Sequence, residues 1–310
     1  MLNKDLLTMQ ELTLPEFETL MKLTARLKSE RHRPDFKPLA GRSIGMIFAK
    51  SSTRTRVSFE VGVNELGGQA LYLDAGRMQV GRGETVADTA RVLERYLAGI
   101  VIRTYKQSDV EELARFAGIP VINALTDEFH PCQVLADLFT ILEYSGTLKG
   151  VKLVFFGDGA SNMANTLIVG SALTGLEVVI AAPEAYRPSE KLLASAPRAR
   201  WEKDPMAAAE GADYLYGDVF VSMGFEEEKA ERLKLLAPYQ INAAVFARAN
   251  KDAKFLHCLP AHRGEEVTAE IMDSPASIVF DQAENRLHVQ KAILCTIFGK
   301  IDEKISGERL

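Results

Sequence analysis

Apolar runs of strand length alternate with helical stretches along most of this chain, and no other feature narrows its fold as far. The runs are Ile44–Ala49, Ala70–Leu73, Ile100–Arg103, Val121–Asn123, Val151–Gly157, Val178–Ala182, Tyr214–Asp218, Phe255–Cys258 and Ile278–Phe280. Between them lie helical patterns such as Arg56–Glu65, Glu84–Leu97, Cys132–Tyr144 and Asn162–Thr174. This order predicts an α/β fold of parallel sheets flanked by helices. Right-handed crossovers then gather the strand C-termini, and the loops after them, along one edge of each sheet.

At 310 residues the chain is long enough for two ordinary domains. A glycine-rich interruption at Tyr144–Gly150 predicts the boundary, with domains at residues 1–145 and 146–310. The last long amphipathic helix, about Glu284–Phe298, has an apolar face suited to packing on either domain. The net charge of -5, with no basic block, argues against nucleic acid. No apolar run reaches the roughly 18–20 residues needed to cross a bilayer. The first thirty residues lack the pattern of a secretory or transit peptide. Cys132, Cys258 and Cys295 are too scattered for a disulfide framework. The expectation is a soluble cytoplasmic protein with no membrane partner.

Seven places along the chain carry residues suited to chemistry. Lys50-Ser51-Ser52-Thr53-Arg54-Thr55-Arg56 follows one strand and opens a helix. Hydroxyls at a helix start cap its first amides, and those amides with the helix dipole attract an anion. The interleaved arginines add forked donors matched to a phosphoryl group. Arg103 ends another strand, either as a ligand group or as the chain leaving the core. His130-Pro131-Cys132-Gln133 starts a helix, with proline at a favourable first-turn position. His130 and Gln133, one turn apart, either share a ligand or serve as structural hydrogen bonders.

Gly157-Asp158-Gly159-Ala160-Ser161-Asn162 carries two glycines of a dinucleotide fingerprint but has asparagine at the third position. Asn162 is either a helix cap or an amide grip on a substrate. Asp218 ends a strand and suits a substrate ammonium, and Ser222-Met223-Gly224 shortly after it suggests a hinged loop. In His257-Cys258-Leu259-Pro260, Cys258 is a nucleophile, a metal ligand or a small core residue. No Cys-x-x-Cys or His-x-x-His pair supports zinc. Arg286 offers one more cation and by default lies on the surface.

Together these segments resemble the aspartate/ornithine carbamoyltransferases, and their ornithine branch in particular. The resemblance rests on Ser52-Thr53-Arg54-Thr55, Ile102-Arg103-Thr104, His130-Pro131-Cys132-Gln133, Asp218 with Ser222-Met223-Gly224, and His257-Cys258-Leu259-Pro260. Met78-Gln79-Val80-Gly81-Arg82-Gly83-Glu84 is similar to the family's loop after its second strand. The resemblance implies a two-domain transferase without metal or organic cofactor. Its first domain would take carbamoyl phosphate and its second L-ornithine, with the last helix returning to the first domain.

By that resemblance Ser52, Thr53, Arg54 and Thr55 would hold the phosphate, together with Gln79. Arg103, His130 and Arg286 would serve the phosphate and carbonyl oxygens, and Gln133 and the Leu259 carbonyl the carbamoyl amine. Asn162, Asp218, Ser222 and Met223 would bind ornithine, and Cys258 beside Asp218 would help deprotonate its δ-amine. A homotrimer, or an assembly of trimers, is also implied. The competing readings are carbamoylation of putrescine or an N-acylated ornithine, a dinucleotide-dependent oxidoreductase, and a non-catalytic homologue.

Overall fold

The computed structural model describes residues 5–31, 35–79, 83–222 and 226–298. Within it the chain divides into two compact units. One runs to Leu135 and resumes at Asn285, and the other is Ala136–Glu284. The chain passes between them inside two continuous helices, Pro131–Ser145 and Val279–Phe298.

The first unit is built on β1 (Ser43–Phe48), β2 (Gln69–Asp74), β3 (Gly99–Arg103) and β4 (Val121–Leu125), in the order β2-β1-β3-β4. All its strand pairings are parallel. Every residue of β3 is buried, and so is all of β1 except Ser43, as expected of central strands with both faces covered. Ile47, Ile100, Ile102, Val110, Leu113 and Val121 pack into one apolar cluster. The last helix contributes its residues from Asn285 onward to this unit: Lys291 pairs with Glu65 at 2.7 Å, and Asn285 accepts from Lys28 at 2.8 Å.

The second unit is a parallel sheet of β5 (Lys152–Phe156), β6 (Glu177–Ala181), β7 (Ala199–Glu202), β8 (Tyr214–Gly217) and β9 (Lys254–His257), ordered β7-β6-β5-β8-β9. Its core gathers Val154, Phe156, Val179, Leu215, Phe255 and Val279. In both sheets the strand order reverses once, between β1 and β3 and between β5 and β8. Such switch points open a crevice at the carboxyl ends of the strands.

Two elements differ from the pattern read in the sequence. Ile278–Phe280 is not a strand. Ile278 donates one hydrogen bond to the Phe255 carbonyl at 3.0 Å, and the chain then winds directly into the helix beginning at Val279. Three apolar residues are too few to hold a strand when helical periodicity continues beyond them. Conversely, the sheet edge β7 carries the sequence Ala-Arg-Trp-Glu and is only partly buried, so no apolar run announces it.

The glycine pair after β5 has a packing explanation. Gly157 adopts φ +141°, and a Cβ on Gly159 would lie 2.6 Å from the Tyr186 carbonyl oxygen and 3.0 Å from Ala182 and Ile180 side chains. Close approach of the loop after β6, rather than a pyrophosphate, accounts for Gly159. Gly159→Ala is therefore expected to lower stability by about 1–3 kcal/mol, the usual cost of overpacking. A urea denaturation midpoint equal to wild type would contradict this.

Candidate active site

In the first unit, successive strand ends along the sheet deliver the predicted groups. The helix Thr53–Glu65 begins directly after β1, and the Ser52 hydroxyl accepts from the Thr55 amide at 3.2 Å, capping it. Thr53 and Arg54 are exposed in the first turn, and Thr55 is buried. Arg56 turns to the surface instead, pairing with Glu60 at 2.9 Å and lying over the Tyr72 ring. Lys50, also buried, pairs with Asp127 and sits 4.3 Å from the Tyr105 ring centroid, tying the loops after β1, β3 and β4 together.

Arg103 stands level with Phe48 at the end of β3 and is 6% exposed. His130 and Gln133, from the start of the helix Pro131–Ser145, are likewise buried. Arg286 corrects the surface expectation: it is 4% exposed, and its Nη2 donates to Thr55 Oγ1 at 2.9 Å. Burial holds His130 well below the ordinary histidine range, and the positive charges of Arg286 and Arg103 depress it further. The imidazole is thus neutral and able to donate one N–H. Cys132 is a core thiol, pushed up to about 12 by burial and donating to the Asn123 carbonyl at 3.4 Å. Gln79 occupies the exposed bend after β2.

In the second unit, Asp218 follows β8 and Cys258 follows β9, and the Cys258 thiol donates to Asp218 Oδ1 at 3.0 Å. Burial raises the Asp218 pKa; His257, the thiol and the Val219 amide oppose it. Such a carboxylate accepts a proton more readily than an exposed one. His257 has a supporting role. Its Nδ1 accepts from the Leu259 amide at 2.9 Å, and Nε2 faces buried Glu266 at 3.3 Å. The His257 amide donates to Gln282 Oε1 at 2.8 Å, and Gln282 Nε2 in turn donates to Asp137 at 2.6 Å. Leu259 is held at φ +59°, and its bond to Pro260 is cis.

Ser161, not Asn162, caps the helix Asn162–Thr174, accepting from the Ala164 amide. Asn162 is half-buried one residue further on. Ser222 is half-buried on the loop after β8, and Met223 lies outside the described residues. Among the described residues, His262, Glu265 and Glu266 form a group whose donor atoms lie within 4.8 Å of one another. The His262 side chain is 51% exposed and faces both carboxylates at 3.8–3.9 Å.

Residues 4–143 match the family model of the aspartate/ornithine carbamoyltransferase carbamoyl-P binding domain, and residues 149–297 that of the Asp/Orn binding domain. The chain belongs to the aspartate/ornithine carbamoyltransferase family. Ornithine carbamoyltransferase of Bacillus subtilis is 52% identical over 305 residues, covering 96% of this chain and 94% of the relative. The Thermococcus kodakarensis ornithine carbamoyltransferase is 48% identical, covering 96% of this chain and 97% of the relative. Among solved structures, ornithine carbamoyltransferase from Pyrococcus furiosus superposes with a TM-score of 0.91 at 48% identity, over 96% of this chain and 98% of that one.

The neutral state of His130 has a thermodynamic consequence. In the unfolded chain this histidine binds a proton below about pH 6.5, whereas in the fold it does not. Its contribution to stability is therefore fully present above that pH and is lost as pH falls. The slope reaches about 1.4 kcal/mol per pH unit. Chemical denaturation between pH 7 and pH 5 should show a shallower slope for His130→Gln than for wild type. Equal slopes would contradict a buried neutral imidazole.

Proposed function

We propose that this protein transfers the carbamoyl group of carbamoyl phosphate to the δ-amine of L-ornithine, yielding L-citrulline and phosphate. One observation carries the residue-level reading. Arg103, Arg286 and neutral His130 are buried around the capped helix start at Ser52–Thr55, in the unit containing most of the carbamoyl-P binding domain match. The reading divides the chain into a carbamoyl-phosphate domain at residues 1–145 and an ornithine domain at 146–310.

The δ-ammonium first loses a proton; the amine then attacks the carbamoyl carbon, and the tetrahedral oxyanion collapses with loss of phosphate, which takes the second proton from the attacking nitrogen. In this reading Ser52, Thr53, Arg54 and Thr55 receive the phosphate on hydroxyls, amides and a guanidinium already in position. That spares reorganisation as charge builds on the leaving group. His130 donates its single N–H to the carbonyl oxygen, where Arg103 and Arg286 add positive charge. Gln133 and the Leu259 carbonyl orient the carbamoyl amine. Asp218 and Cys258 receive the δ-ammonium, a role suited to a carboxylate whose proton affinity burial has raised. Asn162, Ser222 and Met223 take the α-amino and α-carboxylate groups.

The same reading makes the protein a cytoplasmic enzyme of arginine biosynthesis and a homotrimer or assembly of trimers. Exposed Gln79 would then serve carbamoyl phosphate in a neighbouring subunit. Among the described residues, no helix is long and apolar enough to cross a membrane.

A colorimetric citrulline assay with carbamoyl phosphate and ornithine tests the reaction directly, and absence of citrulline would refute it. Arg54→Ala should lower turnover by roughly 10²-fold or more, the scale of losing one preorganised anion donor. Near-normal kinetics would remove Arg54 from the phosphate cradle. Cys258→Ala should retain its circular dichroism while kcat falls; unchanged kcat would make Cys258 a packing residue.

A further inference from the structure

We infer that Arg232 is a positioning residue for the amino-acid end of ornithine, because it ties the turn leading to Asn162 to the loop carrying Asp218 and Ser222. The inference rests on the reading above, that ornithine is held on these two segments. They follow adjacent strands, and pairing between β5 and β8 ends at Phe156 and Gly217. Beyond that level the sheet no longer sets their spacing.

Arg232, on the helix Lys229–Leu236, spans them. It is 3% exposed. Its Nε donates to the Phe220 carbonyl at 3.0 Å, midway between Asp218 and Ser222. Its Nη2 pairs with the Asp158 carboxylate. Asp158 organises the other turn: its Oδ1 accepts from the Ala160 amide at 2.9 Å, and its carbonyl accepts from the Ser161 amide at 3.1 Å, directly before Asn162. The guanidinium also lies 4.7 Å from the Tyr186 ring centroid, which limits its freedom to swing away.

A planar fork can bind a carbonyl and a carboxylate at once, whereas a lysine ammonium is a single point charge that does not reproduce the paired geometry. Arg232 thus sets the separation of groups that must meet the α-ammonium and α-carboxylate of one small molecule. A displacement of about 1 Å in such a frame costs up to roughly 100-fold.

The test is steady-state kinetics of wild type, Arg232→Gln, Arg232→Lys and Asp158→Asn, with L-norvaline as a competitive probe. Norvaline keeps the α-amino and α-carboxylate groups of ornithine and lacks the δ-amine. Arg232→Gln is expected to raise the KM for ornithine and the Ki of norvaline together by about 10–100-fold, while the KM for carbamoyl phosphate stays within about 3-fold. Asp158→Asn should give the same pattern from the other side of the tie, and Arg232→Lys should recover thermal stability without recovering the norvaline Ki.

Loss of folded enzyme alone lowers kcat and leaves these constants unchanged, so an unchanged norvaline Ki in both Arg232→Gln and Asp158→Asn overturns the assignment. A parallel rise in both substrates' KM values overturns it equally. Failure of the wild type to make citrulline from ornithine would instead overturn the functional reading beneath it, and the assignment with it.

Discussion

Parallel strand pairing is the constraint on which the rest of this molecule depends. Every pairing in the four-stranded and five-stranded sheets runs parallel, so all C-termini in a sheet share one edge. Residues far apart in sequence meet there without special long-range design. Ser52 and His130 follow β1 and β4 and Arg103 ends β3, all neighbours in the first sheet, while Asn162, Asp218 and Cys258 follow β5, β8 and β9, neighbours in the second. The strand order reverses between β1 and β3 and between β5 and β8, the kind of switch point at which parallel sheets bind ligands beyond their carboxyl ends.

At each edge, burial tunes a titratable group in the direction its proposed task requires. At the first, desolvation and two nearby guanidinium groups keep His130 neutral, so a donor survives among cations without adding a third positive charge. At the second, desolvation raises the proton affinity of Asp218 while the Cys258 thiol and the Val219 amide hold its carboxylate in place. One set suits a phosphorylated anion and the other an ammonium. The electrostatics therefore agree with the two domain models that the chain matches.

The sequence disclosed what depends on local pattern. The central strands were legible because both faces are buried, which produces unbroken apolar runs; the cap at Ser52 was legible because its strand–turn–helix context is contiguous. What depends on tertiary packing was not. β7 at the sheet edge needs little apolar surface, and in Ile278–Phe280 the first two residues are buried at a helix start while Phe280 is 72% exposed. Arg286 looked solvent-facing because its partner Thr55 lies 231 positions away. Gly159 resembled a nucleotide turn because the Tyr186 carbonyl that crowds it belongs to another loop. Arg232 carried no signal for this tie, since Asp158 and the Phe220 carbonyl lie 74 and 12 positions away.

The central claim is that the first sheet's edge is an anion site assembled from a capped helix start and buried donors. A crystal structure grown with carbamoyl phosphate tests it most directly. The account predicts the phosphoryl group at the start of the Thr53–Glu65 helix, touching Ser52–Thr55, with its carbonyl oxygen beside His130 and Arg103. Density for the ligand anywhere else, or a nucleotide bound at that helix start, would contradict it.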